Sequence, residues 1–170
     1  FSSHRTVDTY LSNTAVRVAR LSKTDAVDAM TESLRLVGLE YRDVRGKYSN
    51  QFSGGELQRI SIARALIPHP RIIIADEPVS MLDASVKAGI IALMMDLKEK
   101  IDLTYLFITH EIALAYHICD RIAVIFQGRF MGILDADDPR LADIGLTIAR
   151  HPPDRGTRQP MVGGRLEFAQ

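Results

Sequence analysis

The feature that most constrains this chain is a short apolar run, residues 72–75, that ends in two carboxylates and a proline. Three isoleucines and an alanine form the run, and Asp76, Glu77 and Pro78 follow it. A continuous β-branched run of this length is typical of a strand buried on both faces of a parallel sheet. We therefore predict a strand over residues 71–75 that lies inside an α/β domain and ends at the two carboxylates.

Strands and helices alternate after this run. Residues 84–101 carry apolar side chains on one helical face, and Asp83 precedes them where it can cap the helix. Further elements are predicted in the order strand, helix, strand, strand, over residues 103–108, 111–119, 121–126 and 130–134. This alternation is typical of an α/β fold with a mainly parallel sheet flanked by helices.

Helices and a loop are predicted before the run. Residues 24–37 have apolar side chains at helical spacing, and Thr24 or Asp25 can cap that helix. Residues 39–52 are polar and predict a loop, whereas residues 56–67 predict a second helix.

Charge balance and cysteine content exclude several classes of protein. Among the 170 residues, Lys plus Arg and Asp plus Glu each total 21, so the formal charge is zero and a dedicated polybasic nucleic-acid binder is disfavoured. Cys119 is the single cysteine and cannot form an internal disulfide. No apolar run approaches the roughly 18 residues that span a bilayer as a helix.

A serine and two glycines at the start of a predicted helix suggest phosphate binding. Ser53, Gly54 and Gly55 precede the helix where backbone N–H groups and the positive end of the helix dipole are available. Glycines let a phosphate approach the backbone, and a serine hydroxyl adds one donor. The same tripeptide is common in turns that bind nothing, so this segment alone leaves both interpretations open.

Two carboxylates and a histidine stand at the carboxyl ends of predicted strands, where α/β sheets place their sites. Asp76 can hold Mg²⁺, and Glu77 can deprotonate a water. His110 follows the next strand and can reach a phosphate held nearby. Each has a plainer interpretation: a charged strand end for the carboxylates, helix capping for Asp83 and a structural role for the histidine.

Taken in order, four segments resemble the second half of an ATP-binding cassette ATPase. Residues 52–56 resemble the family signature, residues 72–77 its Walker B strand, residues 80–83 its D-loop and His110 its switch histidine. Within the family, residues 77–85 resemble the ATPase subunits of dipeptide and oligopeptide importers. The resemblance implies the C-terminal part of a P-loop NTPase cassette with a helical subdomain.

The resemblance also implies three regions along the chain. Residues 1–70 would form the helical subdomain, which ends in the signature and its helix. Residues 71–134 would form part of the ATPase core, and residues 135–170 a divergent, poorly ordered tail.

The family's nucleotide-binding positions map onto the signature and the D-loop. Ser53, Gly54 and Gly55 would bind the γ-phosphate of an ATP held by a second subunit. Glu56 stands beside them where the family often has Gln, and it would lie near the nucleotide. Asp83 would link the two nucleotide sites across the dimer.

The family's catalytic positions map onto the strand ends. Asp76 would support Mg²⁺, Glu77 would act on the hydrolytic water, and His110 would contact the γ-phosphate. ATP and Mg²⁺ are therefore the implied cofactors.

Partners and location follow from the same resemblance. The implied partners are a second ABC ATPase subunit, transmembrane permease subunits and, indirectly, an extracytoplasmic solute-binding protein, with no nucleic acid. The implied location is peripheral, at the cytoplasmic face of the cell membrane.

The P-loop pattern G-x-x-x-x-G-K-[ST] is absent from the sequence. The single Gly-Lys pair, Gly46-Lys47, is followed by Tyr48, and the family's Q-loop glutamine is not present either. We therefore expect the chain to be the C-terminal part of a cassette, to lack ATP hydrolysis on its own and to expose a sheet edge. The complete protein is expected to couple ATP hydrolysis to transport.

Two other interpretations stay open. The chain could be a truncated or pseudogene product, or a partner that donates only its signature face to a complete cassette. It could also be an ABC-type DNA-repair ATPase, although residues 58–66 look more like a transporter and no long heptad segment is present.

Overall fold

A computed structural model describes residues 4–138, and the chain divides into two compact units after residue 108. The elements of the first unit are, in chain order, α1 (Val7–Arg17), α2 (Lys23–Leu36), α3 (Tyr41–Val44), a short 3₁₀ helix (Ser49–Gln51), α4 (Gly54–Leu66), β1 (Ile72–Asp76), α5 (Ala84–Ile101) and β2 (Thr104–Ile108). Those of the second unit are α6 (Ile112–Ile118), β3 (Arg121–Phe126) and β4 (Arg129–Asp135).

The predicted division into three regions stays a prediction. Its first boundary, at residue 70, lies inside the first unit. The predicted tail, residues 135–170, lies outside the described residues apart from its first four.

Side-chain caps decide where the longer helices begin. Asp83 caps α5 as predicted, since its Oδ1 atom accepts the Val86 N–H at 3.1 Å. The predicted cap of α2 at Thr24 or Asp25 is wrong, because the Ser22 hydroxyl accepts the Asp25 N–H at 3.2 Å. Three residues able to cap stand close together there, and the first of them takes the position.

The loop predicted over residues 39–52 is wrong in part, because it contains α3 and the 3₁₀ helix. Val44 anchors the first of these turns, since its side chain is fully buried. The second is closed by a hydrogen bond of 2.9 Å from the Tyr48 N–H to Gln51 Oε1. Short local turns of this kind carry little apolar periodicity, which explains why the pattern did not predict them.

The predicted parallel pairing is confirmed for β1 and β2. Their register runs from Ile72 opposite Thr104 to Asp76 opposite Ile108. Among the described residues β1 pairs with β2 alone.

The prediction that β1 is buried on both faces is wrong for the described part of the chain. Ile72 and Ile74 are 62% and 66% exposed, whereas Ala75 is buried. The face that carries Ala75 lines one cavity with residues of α4 and α5.

The two arginines of α4 fasten this helix to its neighbours in the first unit. Arg59 donates to the carbonyl oxygen of Val37, at the end of α2, at 2.9 Å. Arg64 donates from Nε to Thr14 Oγ1 at 2.8 Å and lies over the Tyr10 ring, 4.0 Å from its centroid. The helix therefore holds a fixed position against α1 and α2.

The second unit is α6 followed by an antiparallel hairpin of β3 and β4. Gln127 and Gly128 form its turn with positive φ values of 47° and 73°. Ile122 and Val124 pack against Leu134. Within residues 4–138 no helix is long and apolar enough to cross a membrane.

Candidate functional site

The start of α4 is closed by a reciprocal capping box. The Ser53 hydroxyl accepts the Glu56 N–H at 3.3 Å, while the Glu56 carboxylate accepts both the amide and the hydroxyl of Ser53. The helix therefore begins at Gly54, two residues before the predicted start. This geometry places both glycines in the first turn, where backbone N–H groups have no intrahelical acceptor.

Glu56 carries a negative charge at this helix start. Hydrogen bonds from the Ser53 amide and then the Ser53 hydroxyl lower the pKa of Glu56 below its usual value, and the charge of Lys47 acts in the same direction. Lys47 also lies over the Phe52 ring, 5.6 Å from its centroid. A phosphate that approaches the serine would meet an ionised carboxylate already bonded to it.

The two glycines lie against the start of α5. A Cβ atom on Gly55 would stand 2.7 Å from Val86 Cγ1, and one on Gly54 would stand 3.3 Å from Leu82 Cδ2. The structure thus brings the predicted signature next to the helix that Asp83 caps. The sequence did not predict that Leu82 and Val86 contact the two glycines, because no pattern within either segment indicates that the two helix starts touch.

The predicted carboxylates lie at the end of β1, in the same unit. Asp76 is the last residue of the strand and is exposed. Glu77 follows with a left-handed φ of 44°, and its N–H donates to the Ile108 carbonyl oxygen at 2.9 Å. A non-glycine residue held at positive φ costs about 1–3 kcal/mol and is often found at functional positions.

The segment between β1 and α5 is a tight turn. The Ser80 hydroxyl donates to the Glu77 carbonyl oxygen at 3.2 Å, and Val79 is buried. Hydrogen bonds from the Ser85 hydroxyl and then the Val86 N–H lower the pKa of Asp83 below its usual value. Met81 projects from this turn with 96% of its surface exposed.

His110 lies in the second unit, in the bend between β2 and α6. The Glu111 N–H donates to Thr109 Oγ1 at 3.0 Å in the same bend. The assignment of His110 to the site of Asp76 and Glu77 stays a prediction.

The described residues suit a Mg²⁺ ion that takes most of its ligands from a bound phosphate and from water. Among residues 4–138 no group of three His, Cys, Asp or Glu side chains is arranged to hold an ion. Mg²⁺ commonly uses one or two carboxylates and takes its other ligands from phosphates and water. The exposed carboxylate of Asp76 at a strand end suits that mode of binding.

Three further residues act on this region without having been predicted. Lys47 lies near the capping box, and Arg59 and Arg64 hold the helix that follows it. The sequence offered a clue to the two arginines, since each stands next to an apolar residue of α4, and these neighbours, Ile60 and Ala63, are buried in the core.

Comparison with a family model gives a match over residues 2–80, to the family described as ABC transporter. A Brucella ovis protein, whose name marks it as a candidate peptide import ATP-binding protein, is 43% identical over 152 residues. That alignment covers 85% of this chain and 48% of the relative. The oligopeptide transport ATP-binding protein AppF of Bacillus subtilis is 49% identical over 104 residues, which cover 61% of this chain and 31% of AppF.

The fold also matches that of a solved ATP-binding cassette. The chain superposes on a dimeric ATP-binding cassette in a post-hydrolysis state, bound to ADP and Pi, with a TM-score of 0.64 and 29% identity. The match covers 79% of this chain and 58% of that one. The chain spans about half the length of the curated Brucella relative.

Proposed function

This chain is related to the ATP-binding cassette ATPases of ABC transporters through residues 2–80 and shares their fold, and we propose that it supplies the signature-bearing part of an ATP-hydrolysing subunit. The proposed work of that subunit is to power import of peptides or other small solutes. The observation that carries the proposal is the capped start of α4, with Ser53 as its cap and Gly54 and Gly55 in its first turn.

The start of α4 acts as a phosphate clamp in trans. Ser53 turns its hydroxyl from Glu56 to the γ-phosphate of an ATP held by a second subunit, and the amides of Gly54 and Gly55 donate to the same phosphate. Two features support this role: the N-terminal end of a helix favours anions, and glycine leaves room for a phosphate.

The end of β1 acts on the other reactants. Asp76 holds Mg²⁺ directly or through its waters, Glu77 accepts a proton from the attacking water, and His110 contacts the γ-phosphate. Mg²⁺-ATP, when bound, supplies the reacting phosphoryl group and neutralises its charge. The hydrogen bond from the Glu77 N–H to Ile108 supports this role, because it fixes the backbone of the proposed base against the neighbouring strand.

The proposed partners are a second ABC ATPase subunit and transmembrane permease subunits, with a solute-binding protein engaged indirectly and no nucleic acid. Asp83 would link the two nucleotide sites across the pair of ATPases. The proposed location is the cytoplasmic face of the cell membrane. The names of the Brucella and Bacillus relatives support the importer assignment over a DNA-repair role.

The sequence favours a second, narrower candidate for the 170-residue chain itself. It contains no P-loop pattern, so the chain would donate its signature to an ATP bound elsewhere and would not hydrolyse ATP alone.

Nucleotide-dependent association tests both candidates. The 170-residue chain is mixed with a complete ABC ATPase that carries its own P-loop, and association is followed by sedimentation velocity. We expect association only with Mg²⁺ and a non-hydrolysable ATP analogue together, and about tenfold weaker association for Ser53→Ala. Ser61→Ala, on the same helix but away from its start, is the matched control. Equal association with and without the ATP analogue would contradict the proposed binding of the γ-phosphate by the start of α4.

Catalysis is tested in a complete protein that contains these residues. Glu77→Gln is expected to remove turnover and to leave nucleotide-driven dimers intact, because the amide keeps the shape of the side chain but cannot accept the proton. Unchanged turnover would exclude Glu77 as the base.

A further inference from the structure

We propose that Gly55 is a positioning residue, which fixes the start of α4 against the start of α5 and so holds the signature and Asp83 as one rigid pair. The observation is the 2.7 Å separation between a Cβ atom built on Gly55 and Val86 Cγ1. The consequence for ATP binding rests on the proposed function, whereas the packing itself does not.

The backbone of Gly55 does not explain why glycine is there. The residue lies in the first turn of α4 and its φ is not in the left-handed region. Alanine is the better helix former at such a position. Access for a phosphate is one reason for a glycine at this position, and close approach of the two helices is a second, because carbon atoms pack at about 3.5–4.0 Å and not at 2.7 Å.

Val86 cannot easily yield to an added methyl group. Its side chain is β-branched and keeps one strongly preferred rotamer in a helix. Its N–H donates to Asp83 Oδ1 at 3.1 Å, so any shift of its backbone disturbs the cap of α5. A methyl group added at residue 55 would therefore displace Val86, and the displacement of Val86 would disturb its hydrogen bond to Asp83.

Gly54 makes a softer contact with the same helix start. A Cβ atom there would stand 3.3 Å from Leu82 Cδ2, which is the end of a longer and more adaptable side chain. We therefore assign the positioning role to Gly55 and not to its neighbour. The rigid pair consists of residues 53–56 and residues 82–86.

Because the packing is rigid, residues 53–56 and residues 82–86 move together. A γ-phosphate at Ser53 and a partner subunit at Asp83 would act on the same rigid pair. Binding at one segment would then be felt at the other without any rearrangement between α4 and α5.

The packing can be tested without nucleotide by introducing a clash at residue 55 and relieving it with a smaller side chain at residue 86. Gly55→Ala, Val86→Ala and the double variant are made in the full 170-residue chain. Gly89→Ala, on α5 with open space around the new methyl group, is the matched control. The readouts are the melting temperature and the hydrogen exchange rate of the amide of residue 86.

We expect Gly55→Ala to lower the melting temperature by at least about 3 °C and to speed exchange of that amide about tenfold. Gly89→Ala should do neither. The double variant should exchange within about threefold of Val86→Ala alone. The proposal is overturned if Gly55→Ala behaves like Gly89→Ala, or if Val86→Ala gives no rescue.

Association with a complete ABC ATPase in the presence of an ATP analogue extends the test to function. A positioning role predicts that Gly55→Ala weakens association and that adding Val86→Ala restores it. Crowding of the phosphate by the methyl group itself predicts weak association in both variants, which overturns the functional part. If the unaltered chain never associates, the proposed function fails, and the exchange measurements still decide the packing.

Discussion

The Glu56 carboxylate accepts two hydrogen bonds from Ser53, one from the amide and one from the hydroxyl, each 2.8 Å long. The serine that is proposed to bind a phosphate is thus already bonded to an anion of the same chain. Stability of the helix start and binding of a phosphate therefore compete for the same donor. Two predictions of opposite sign follow from this competition.

Removal of the Glu56 charge should reduce stability at neutral pH. Its folded pKa is lowered from 4.5, so its contribution is present above that value and is lost as pH falls through the folded pKa. We expect Glu56→Gln to lower the free energy of unfolding by less than about 1 kcal/mol at pH 7, because solvent screens the charge of this exposed carboxylate. Urea unfolding at pH 7 and pH 3 measures it. A difference that does not shrink between pH 7 and pH 3 would show that charge is not the cause.

The same substitution should strengthen association that depends on an ATP analogue. A neutral glutamine removes the repulsion between the carboxylate and the incoming phosphate and leaves the Ser53 hydroxyl easier to release. We expect about two- to fivefold tighter association for Glu56→Gln in sedimentation velocity. Glu99→Gln changes the net charge equally at an exposed position of α5 and should have no effect. Equal or weaker binding by Glu56→Gln would contradict the competition.

Loss of Arg64 should release α4 from α1. Its hydrogen bond to Thr14 and its stacking on Tyr10 are both partly buried. We expect Arg64→Ala to lower the free energy of unfolding by about 1–3 kcal/mol, measured by urea denaturation. Arg64→Lys should recover only part of this, because lysine lacks the planar group that stacks and forks.

An exposed arginine provides the control for that measurement. Arg42 forms an ion pair with Asp43 at 4.0 Å, and 84% of its side chain is exposed. We expect Arg42→Ala to change the free energy of unfolding by less than about 0.5 kcal/mol. If the two alanine variants lose equal stability, the contacts of Arg64 do not hold the helix.

Local chemistry made part of this fold predictable. The helix over residues 84–101 and its cap at Asp83 depend on side chains within one turn of each other, and both predictions are confirmed. The parallel pairing of β1 and β2 follows from the strand–helix–strand order, which requires a crossover.

Long-range contacts made the rest unpredictable. The exposure of Ile72 and Ile74 depends on what covers the sheet, and the apolar run carries no information about that. The contact of Gly55 with Val86 joins segments about 30 positions apart, and a glycine there is equally consistent with phosphate access alone. Steric fit between distant segments leaves no periodic signal.

Replacing Tyr105, on β2, with phenylalanine should not reduce the stability of the fold. Its hydroxyl is buried and, within residues 4–138, has no hydrogen-bond partner. Removing a polar group that has no partner loses no hydrogen bond and ends its desolvation cost. We expect Tyr105→Phe to leave the free energy of unfolding at pH 7 unchanged or to raise it by up to about 1 kcal/mol. Tyr116→Phe, at an exposed tyrosine, is the control and should change it by less than about 0.5 kcal/mol.

Alkaline unfolding gives the same residue a second test. Burial raises the pKa of Tyr105 to about 12, from 10.0 for the exposed group. Between these values the unfolded chain ionises this tyrosine and the folded chain does not, so stability falls as pH rises. The fall should be smaller in Tyr105→Phe when urea unfolding is compared at pH 9 and pH 11. An equal fall in both proteins, or a loss of stability in the variant at pH 7, would mean that the hydroxyl is solvated or bonded in the folded chain.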